Sequence, residues 1–180
     1  MRKIVAGVMV SLDGVVEAPE TFTGPYFAPD LGQEVGSTIA RADAMLLGRK
    51  TYETFAASFA DQSGGMADQM NATPKYVVST TLEEATWQNS TLIKGDLAAE
   101  LGRLKKQDGK NINISGSATL IRSLLSDGLL DELRLLVFPV VVGSGSRLFN
   151  GSTGRLGLSL VESATFSSGV VSLVYRPADA

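Results

Sequence analysis

Apolar and polar positions fall in blocks along the chain, and the blocks predict an ordered series of strands and helices. Lys3 to Leu12 is almost continuously apolar, the pattern of a strand buried on both faces. A stretch rich in Gly and Pro follows from Asp13 to Asp30. It is longer than a plain connection needs and carries Tyr26 and Phe27, so it reads as a functional loop. Leu31 to Arg41 predicts a helix, with Leu31, Val35, Thr38 and Ile39 on one side. Ala44 to Leu47 predicts a short buried strand that Gly48 breaks, and Thr51, Tyr52, Thr54 and Phe55 suit a helix starting at Arg49. Gly, Asp and Ser residues between Ser58 and Thr73 predict a second long loop, and Lys75 to Ser79 a third strand.

Thr91 to Lys94 predicts a short strand. Asp96 is an N-cap for a helix from Leu97 to Gln107, with Leu97, Leu101 and Leu104 in one stripe. Lys105 and Lys106 stand at its C-terminal end, where the helix dipole favours cations. Asn111 to Ser115 alternates as a strand, Ser117 caps a helix through Leu125, and Gly128 ends it. Asp131 to Val142 is a long strand rich in Leu and Val. Leu156 to Phe166 and Val170 to Arg176 flank the turn Ser167-Ser168-Gly169 as a hairpin. Strands alternating with helices and closed by a hairpin predict a three-layer α/β fold. Its central sheet is mostly parallel, with helices on both faces and an antiparallel hairpin at the C-terminus. Ligands in such sheets bind beyond the carboxyl ends of the strands.

The 180 residues, 44% of them hydrophobic, suffice for one core, and no linker divides them, so residues 1–180 read as a single domain. A net charge of -3 gives no global attraction to nucleic acid or to an anionic membrane, so any anion site has to be local. Cysteine and histidine are both absent. That removes disulfides, thiol nucleophiles, imidazole acid–base chemistry and the usual zinc ligands, and without a carboxylate cluster no metal site is expected. No segment approaches the ~20 apolar residues of a membrane span. The N-terminal apolar run ends in Asp13 without a small-residue cleavage site, so it reads as a strand and a cytoplasmic protein is expected.

Three short motifs carry candidate chemistry. Arg49 and Lys50 open a predicted helix, although free amides and the dipole there favour anions over cations. Strand, glycine and cationic helix start suit a phosphate site; two solvated side chains account for the motif equally well. It is not a Walker A loop, because Asp43 stands where the first Gly belongs and Arg49 separates Gly48 from Lys50. Ile114 to Thr119 again joins strand, small residues and helix start, either a turn open to a pyrophosphate or a tight turn with an N-cap. Gly143 to Leu148 lacks the third Gly of GxGxxG, and loop residues at 150–154 replace the helix a Rossmann fingerprint needs.

Taken in order, SLDG at 11–14, LLGRKTYE at 46–53, VVST at 77–80, NISGSATL at 113–120 and DELRLLVFPVVVGSGSRLF at 131–149 resemble the dihydrofolate-reductase-like superfamily. The resemblance is closest to the reductase domain at the C-terminus of riboflavin-biosynthesis deaminase-reductases, and it covers nearly the whole chain. It implies NADPH lying across the carboxyl edge of the sheet. It further implies hydride transfer to a C=N or C=O group of a pterin-like or pyrimidine-like small molecule; an NADP-binding module without turnover is the alternative. By the same resemblance Gly48, Arg49, Lys50 and Thr51 hold phosphates, and Ser79 and Thr80 flank the adenosine 2'-phosphate with Arg49. Gly116, Ser117, Ala118 and Thr119 form the turn under the pyrophosphate, with one Gly where dihydrofolate reductases often have two or three. No fused deaminase is expected, since these residues include no His or Cys to ligate its zinc.

The acidic group that dihydrofolate reductases place after the first strand matches no single residue. Asp13 and Asp30 are the carboxylate candidates for the proton donor, and Tyr26, Tyr52 or water the others. The resemblance also implies a homodimer, in keeping with the apolar strand Leu133 to Val142 and its hairpin. A substrate pocket is expected between the Asp13 to Asp30 loop and the strand end at Val142 to Arg147, beside the nicotinamide.

Overall fold

The apolar run at the N-terminus becomes strand β1 (Ile4–Ser11), with six of its eight residues buried, in the middle of an eight-stranded sheet. The computed structural model describes residues 1–151 and 154–178. After β1 come α1 (Glu20–Thr23), a 3-10 turn (Gly24–Tyr26), α2 (Pro29–Ala40), β2 (Ala42–Gly48), α3 (Arg49–Phe59), α4 (Met66–Ala72), β3 (Lys75–Val78) and β4 (Ser90–Ile93). Then follow α5 (Leu97–Lys106), β5 (Asn111–Ile114), α6 (Ala118–Ser126), β6 (Glu132–Phe138), β7 (Leu158–Thr165) and β8 (Val171–Pro177). The sheet order is β4-β3-β2-β5-β1-β6-β8-β7. Pairing is parallel from β4 to β6, and β8 runs antiparallel to both β6 and β7. This is the three-layer α/β arrangement expected from the hydrophobic pattern.

Side-chain alternation along the strands assigns the faces. Ile4, Ala6 and Val8 of β1 join Leu46, Ile112 and Ile114 beneath Leu101 and Leu104 of α5 and Ile121 and Leu124 of α6. On the other face Met45, Leu47 and Val77 pack with Tyr52 of α3 and with Trp87, while Met9 and Phe138 meet Phe22 and Leu31. Each such Leu, Ile or Phe contributes roughly 1.5–3 kcal/mol by burial. Asp96 caps α5 as expected, its side chain accepting from the Ala99 amide at 3.0 Å.

Several boundaries differ from the pattern. Residues 58–73 are not one long loop, because α3 runs to Phe59 and α4 occupies Met66–Ala72. Seven residues cannot hold a helix by propensity; this one is pinned from outside. Lys75, fully buried, donates from Nζ to the carbonyls of Met70 (2.7 Å), Asn71 (3.3 Å) and Thr73 (2.7 Å) at the helix end and lies 4.2 Å from the Trp87 ring centroid. Burial pushes this ammonium down to about 8, which leaves it charged at neutral pH. Asn71 Nδ2 reaches Phe59 O and Gln62 O, both at 3.1 Å, and its Oδ1 accepts from the Trp87 indole. The Asp13 to Asp30 loop contains α1 and the 3-10 turn, and β6 stops at Phe138 rather than Val142 because Pro139 has no N–H to continue the ladder. Of the loop expected at 150–154, Ser152 and Thr153 lie outside the described residues.

Candidate functional site

Two strand-to-helix turns meet at the carboxyl edge. α3 begins directly after Gly48 with Arg49 and Lys50, has no acidic residue in its first turn and, among the described residues, no side-chain cap. Its first amides therefore point outward unpaired, beside two exposed cations. The β5–α6 turn packs against it. A Cβ at Gly48 would lie 2.5 Å from Ser117 Oγ, and one at Gly116 would lie 3.4 Å from Thr51 Cγ2 and Oγ1. Ser117 stands in the left-handed region at φ 69°, and its hydroxyl caps α6 by accepting from the Leu120 amide at 3.3 Å. Two helix starts thus share one glycine-lined cradle, and such a donor set fits an anion of diphosphate size. The structure brings together Gly48, Arg49, Lys50, Thr51, Gly116, Ser117, Ala118 and Thr119 as one group.

The end of β3 closes this group on one side. Ser79 Oγ accepts from the amides of Thr81 (3.2 Å) and Leu82 (2.9 Å), which fixes the turn after the strand. Arg49 Nη1 donates to Thr81 Oγ1 at 2.8 Å. Thr81, exposed like its neighbour Thr80, is the hydroxyl that Arg49 reaches. The Arg49–Glu53 ion pair at 3.3 Å is about half exposed on both sides and holds the guanidinium only weakly.

At the other end of the edge, the segment after β1 is laced to the segment after β6. Leu12 N donates to Val140 O (2.8 Å), Val16 N to Ser146 O (2.9 Å) and Leu148 N to Gly14 O (3.0 Å). Asp13 is the central clasp. It accepts from the Ser11 hydroxyl (2.6 Å) and from the amides of Val142 (3.0 Å) and Gly143 (2.8 Å). The Ser11 hydroxyl first, then these amides, hold its carboxyl at about 2. In this structure Asp13 thus ties the segment after β1 to the segment after β6. Glu17 repeats the device: its carboxylate accepts from Ser146 N at 2.7 Å, which together with Lys50 lowers its pKa.

Asp30 accepts from Ser167 N (2.8 Å) and Ser167 Oγ (3.1 Å), tying α2 to the hairpin turn, and these bonds, the amide first, lower its pKa. In this structure it too serves as a clasp. Tyr26 packs edge-on against Phe138, centroids 6.0 Å apart, and its hydroxyl donates to Pro139 O at 3.3 Å, so it does stand at the carboxyl end of β6. Tyr52 does not reach the edge; its hydroxyl accepts from the buried Trp87 amide at 2.8 Å.

Two clefts open outside the laced segments. One of about 390 Å³ lies between β3, β4 and α5, lined by Tyr76, Ile93, Lys94, Asp96, Ala99 and Arg103. Another of about 250 Å³ lies among Leu125, Phe149, Leu156 and Leu158. Neither is lined by the Asp13 to Asp30 segment or by residues 142–147. Sequence reasoning missed Thr81 and Glu17, whose partners Arg49 and Ser146 are distant in the chain.

Among the described residues no helix is long and apolar enough to cross a membrane, and no group of acidic residues could hold a metal ion. The family model described as RibD C-terminal domain matches residues 2–172. The uncharacterized protein YyaP of Bacillus subtilis (strain 168) is 33% identical over 181 residues, covering 97% of this chain and 95% of that one. A putative riboflavin biosynthesis protein from Shewanella sp. PV-4 superposes with a TM-score of 0.80 at 20% identity, over 98% of this chain and 99% of that one. Dihydrofolate reductase from Enterococcus faecalis, solved with NADP(H), gives a TM-score of 0.65 at 13% identity, over 98% and 97% of the two chains. The fold is thus dihydrofolate-reductase-like.

Proposed function

This chain belongs to the RibD C-terminal domain family, and from that premise we propose that it is an NADPH-dependent reductase of a pterin-like or pyrimidine-like small molecule. The observation that carries the reading is the meeting of two helix starts at Gly48 and Ser117, one of them bearing Arg49 and Lys50 without an acidic neighbour in its first turn. NADPH, when bound, supplies a hydride from its nicotinamide to a C=N or C=O group. Gly48, Lys50 and Thr51 with Gly116, Ser117, Ala118 and Thr119 hold its diphosphate. Arg49, backed by Ser79 and Thr81, takes the 2'-phosphate, with Thr80 at the rim.

The laced segments after β1 and β6 orient the acceptor and exclude water. Phe27, 47% exposed and 6.5 Å from the Phe138 ring, offers a flat face to a heterocycle. The proton comes from water or from the Tyr26 hydroxyl, because Asp13 and Asp30 are engaged in structural hydrogen bonds. Calorimetric titration with NADPH, followed by loss of reduced-nicotinamide absorbance with pyrimidine intermediates of riboflavin biosynthesis and with pterins, tests the proposal. Saturable binding and acceptor-dependent oxidation are expected; no binding overturns it.

A second reading, an NADP-binding module without turnover, is favoured by the engagement of both candidate carboxylates in structural hydrogen bonds. Tight NADPH binding with no oxidation across pterin, pyrimidine and simple carbonyl acceptors would select it. We further propose that residues 1–180 act as one cytoplasmic domain and pair as a homodimer. Seven of the eight residues of the edge strand β7 are exposed, Leu160 and Val161 among them. A monomer by light scattering at micromolar concentration refutes the pairing.

A further inference from the structure

Arg122 belongs to no motif, yet its guanidinium joins the two halves of the carboxyl edge. Nη1 donates to the carbonyl oxygens of Leu148 at 2.9 Å and Arg147 at 3.3 Å, and Nη2 donates to Thr119 Oγ1 at 3.2 Å. Thr119 is the second residue of α6, so its amide has no acceptor within the helix and its side chain stands at the helix start. A hydroxyl has one proton and two lone pairs. With Arg122 on a lone pair, the Thr119 proton is left to donate to a further acceptor at the helix start. On the other side, the carbonyls that Arg122 grips belong to the segment laced to the end of β1. Arg147 Nε donates to Asp13 O at 2.9 Å and Leu148 N to Gly14 O at 3.0 Å.

We propose that Arg122 is a positioning residue: it fixes Thr119 as a hydrogen-bond donor to a phosphate of the bound dinucleotide, and it locks residues 147–148 against α6 so that the acceptor side and the cofactor side keep one spacing. The phosphate role rests on the reductase reading above; the lock does not. Three acceptors in two directions suit a planar fork of fixed donors and do not suit an ammonium, so lysine cannot replace it although the charge is kept.

The test compares wild type, Arg122→Ala, Arg122→Lys, Thr119→Val and Arg122→Ala with Thr119→Val. NADPH is titrated by calorimetry, and amide hydrogen exchange is followed in the cofactor-free protein. Arg122→Ala weakens NADPH binding about tenfold, Arg122→Lys does not restore it, and the double variant binds no worse than the weaker single one, since both act through the same hydroxyl. In Arg122→Ala the Leu148 amide exchanges at least about tenfold faster, while the central β1 amides keep their rates. Unchanged NADPH affinity in Arg122→Ala, recovery by lysine, or additive losses in the double variant each overturn the phosphate role. If wild type binds no NADPH, the function proposed above fails and the phosphate role with it. The exchange comparison still decides the lock, and an unchanged Leu148 rate in Arg122→Ala overturns that. Should Arg122→Ala not fold, Arg122→Lys and Thr119→Val carry both comparisons.

Discussion

Gly48→Ala probes the packing on which the shared cradle depends. The backbone at Gly48 has φ -76° and ψ 161°, which any residue adopts, so in open space alanine would stabilise by about 0.4–1 kcal/mol through a less flexible unfolded chain. The space is not open. The added Cβ would lie 2.5 Å from Ser117 Oγ and 2.9 Å from Ser117 Cβ, and overpacking of that kind costs about 1–3 kcal/mol. Ser117 cannot swing aside freely, because its hydroxyl caps α6; losing the cap adds about 1 kcal/mol. The net loss is about 1–3 kcal/mol, and at roughly 2–4 °C per kcal/mol for a domain of this size the melting temperature falls by about 2–12 °C.

The clash can be removed from the other side. Ser117→Gly deletes both clashing atoms. At φ 69° it also relieves about 1–2 kcal/mol of left-handed strain. Against that stand a few tenths of a kcal/mol for the cap and about 0.5–1 kcal/mol of chain entropy. Ser117→Gly alone should therefore shift stability by less than about 1 kcal/mol, and in that background Gly48→Ala should cost almost nothing. Urea melts of the four proteins form the cycle. A Gly48→Ala cost that is the same in both backgrounds would refute the argument, since the Cβ would then be meeting something other than Ser117.

Three further outcomes follow from named contacts. Arg49→Ala should weaken NADPH binding roughly 10- to 150-fold, the equivalent of one charge-assisted hydrogen bond of about 1.5–3 kcal/mol, and leave NADH affinity unchanged; equal losses for both cofactors in calorimetry would move Arg49 off the 2'-phosphate. Lys75→Met should cost about 2–4 kcal/mol in denaturant melts by leaving the Met70 and Thr73 carbonyls buried and unpaired, and a cost below about 0.5 kcal/mol would show that water replaces the ammonium. Asp13, depressed from 3.8 to about 2 chiefly by the Ser11 hydroxyl, contributes stability that is complete above about pH 4 and lost as pH falls through 2; the gap in melting temperature between wild type and Asp13→Asn should therefore close across that window, and parallel curves would contradict the clasp.

The readable part of this fold is the part set by local pattern. Alternation and apolar runs located β1, β2, β5, β6 and the hairpin, and the cap at Asp96 and the stripe of Leu97, Leu101 and Leu104 located α5. The helix α4 was hidden because its causes, Lys75, Asn71 and Trp87, act from outside its own seven residues. The same division runs through the candidate site. Gly48 with Arg49 and Gly116 with Ser117 are short motifs and could be read singly; that one forbids a side chain on the other is a tertiary fact.

Asp13 shows the limit most directly. A carboxylate at a strand end has the right type and place for an acid, but its pKa is set by which donors point at it. Here they are a hydroxyl and two amides, two of the three from the far side of the sequence. The same accounting redirects the search for a proton source. The Asp30 carboxylate is engaged by Ser167, and Tyr52 is buried against Trp87, which leaves Tyr26 among the side chains considered. Its present bond to Pro139 O is 3.3 Å, long for an O–H donor and therefore weak. A hydroxyl held that loosely at the end of β6 can turn to a bound acceptor at little cost. Tyr26→Phe should then lower turnover while leaving NADPH affinity intact, and equal turnover in the two proteins would assign the proton to water.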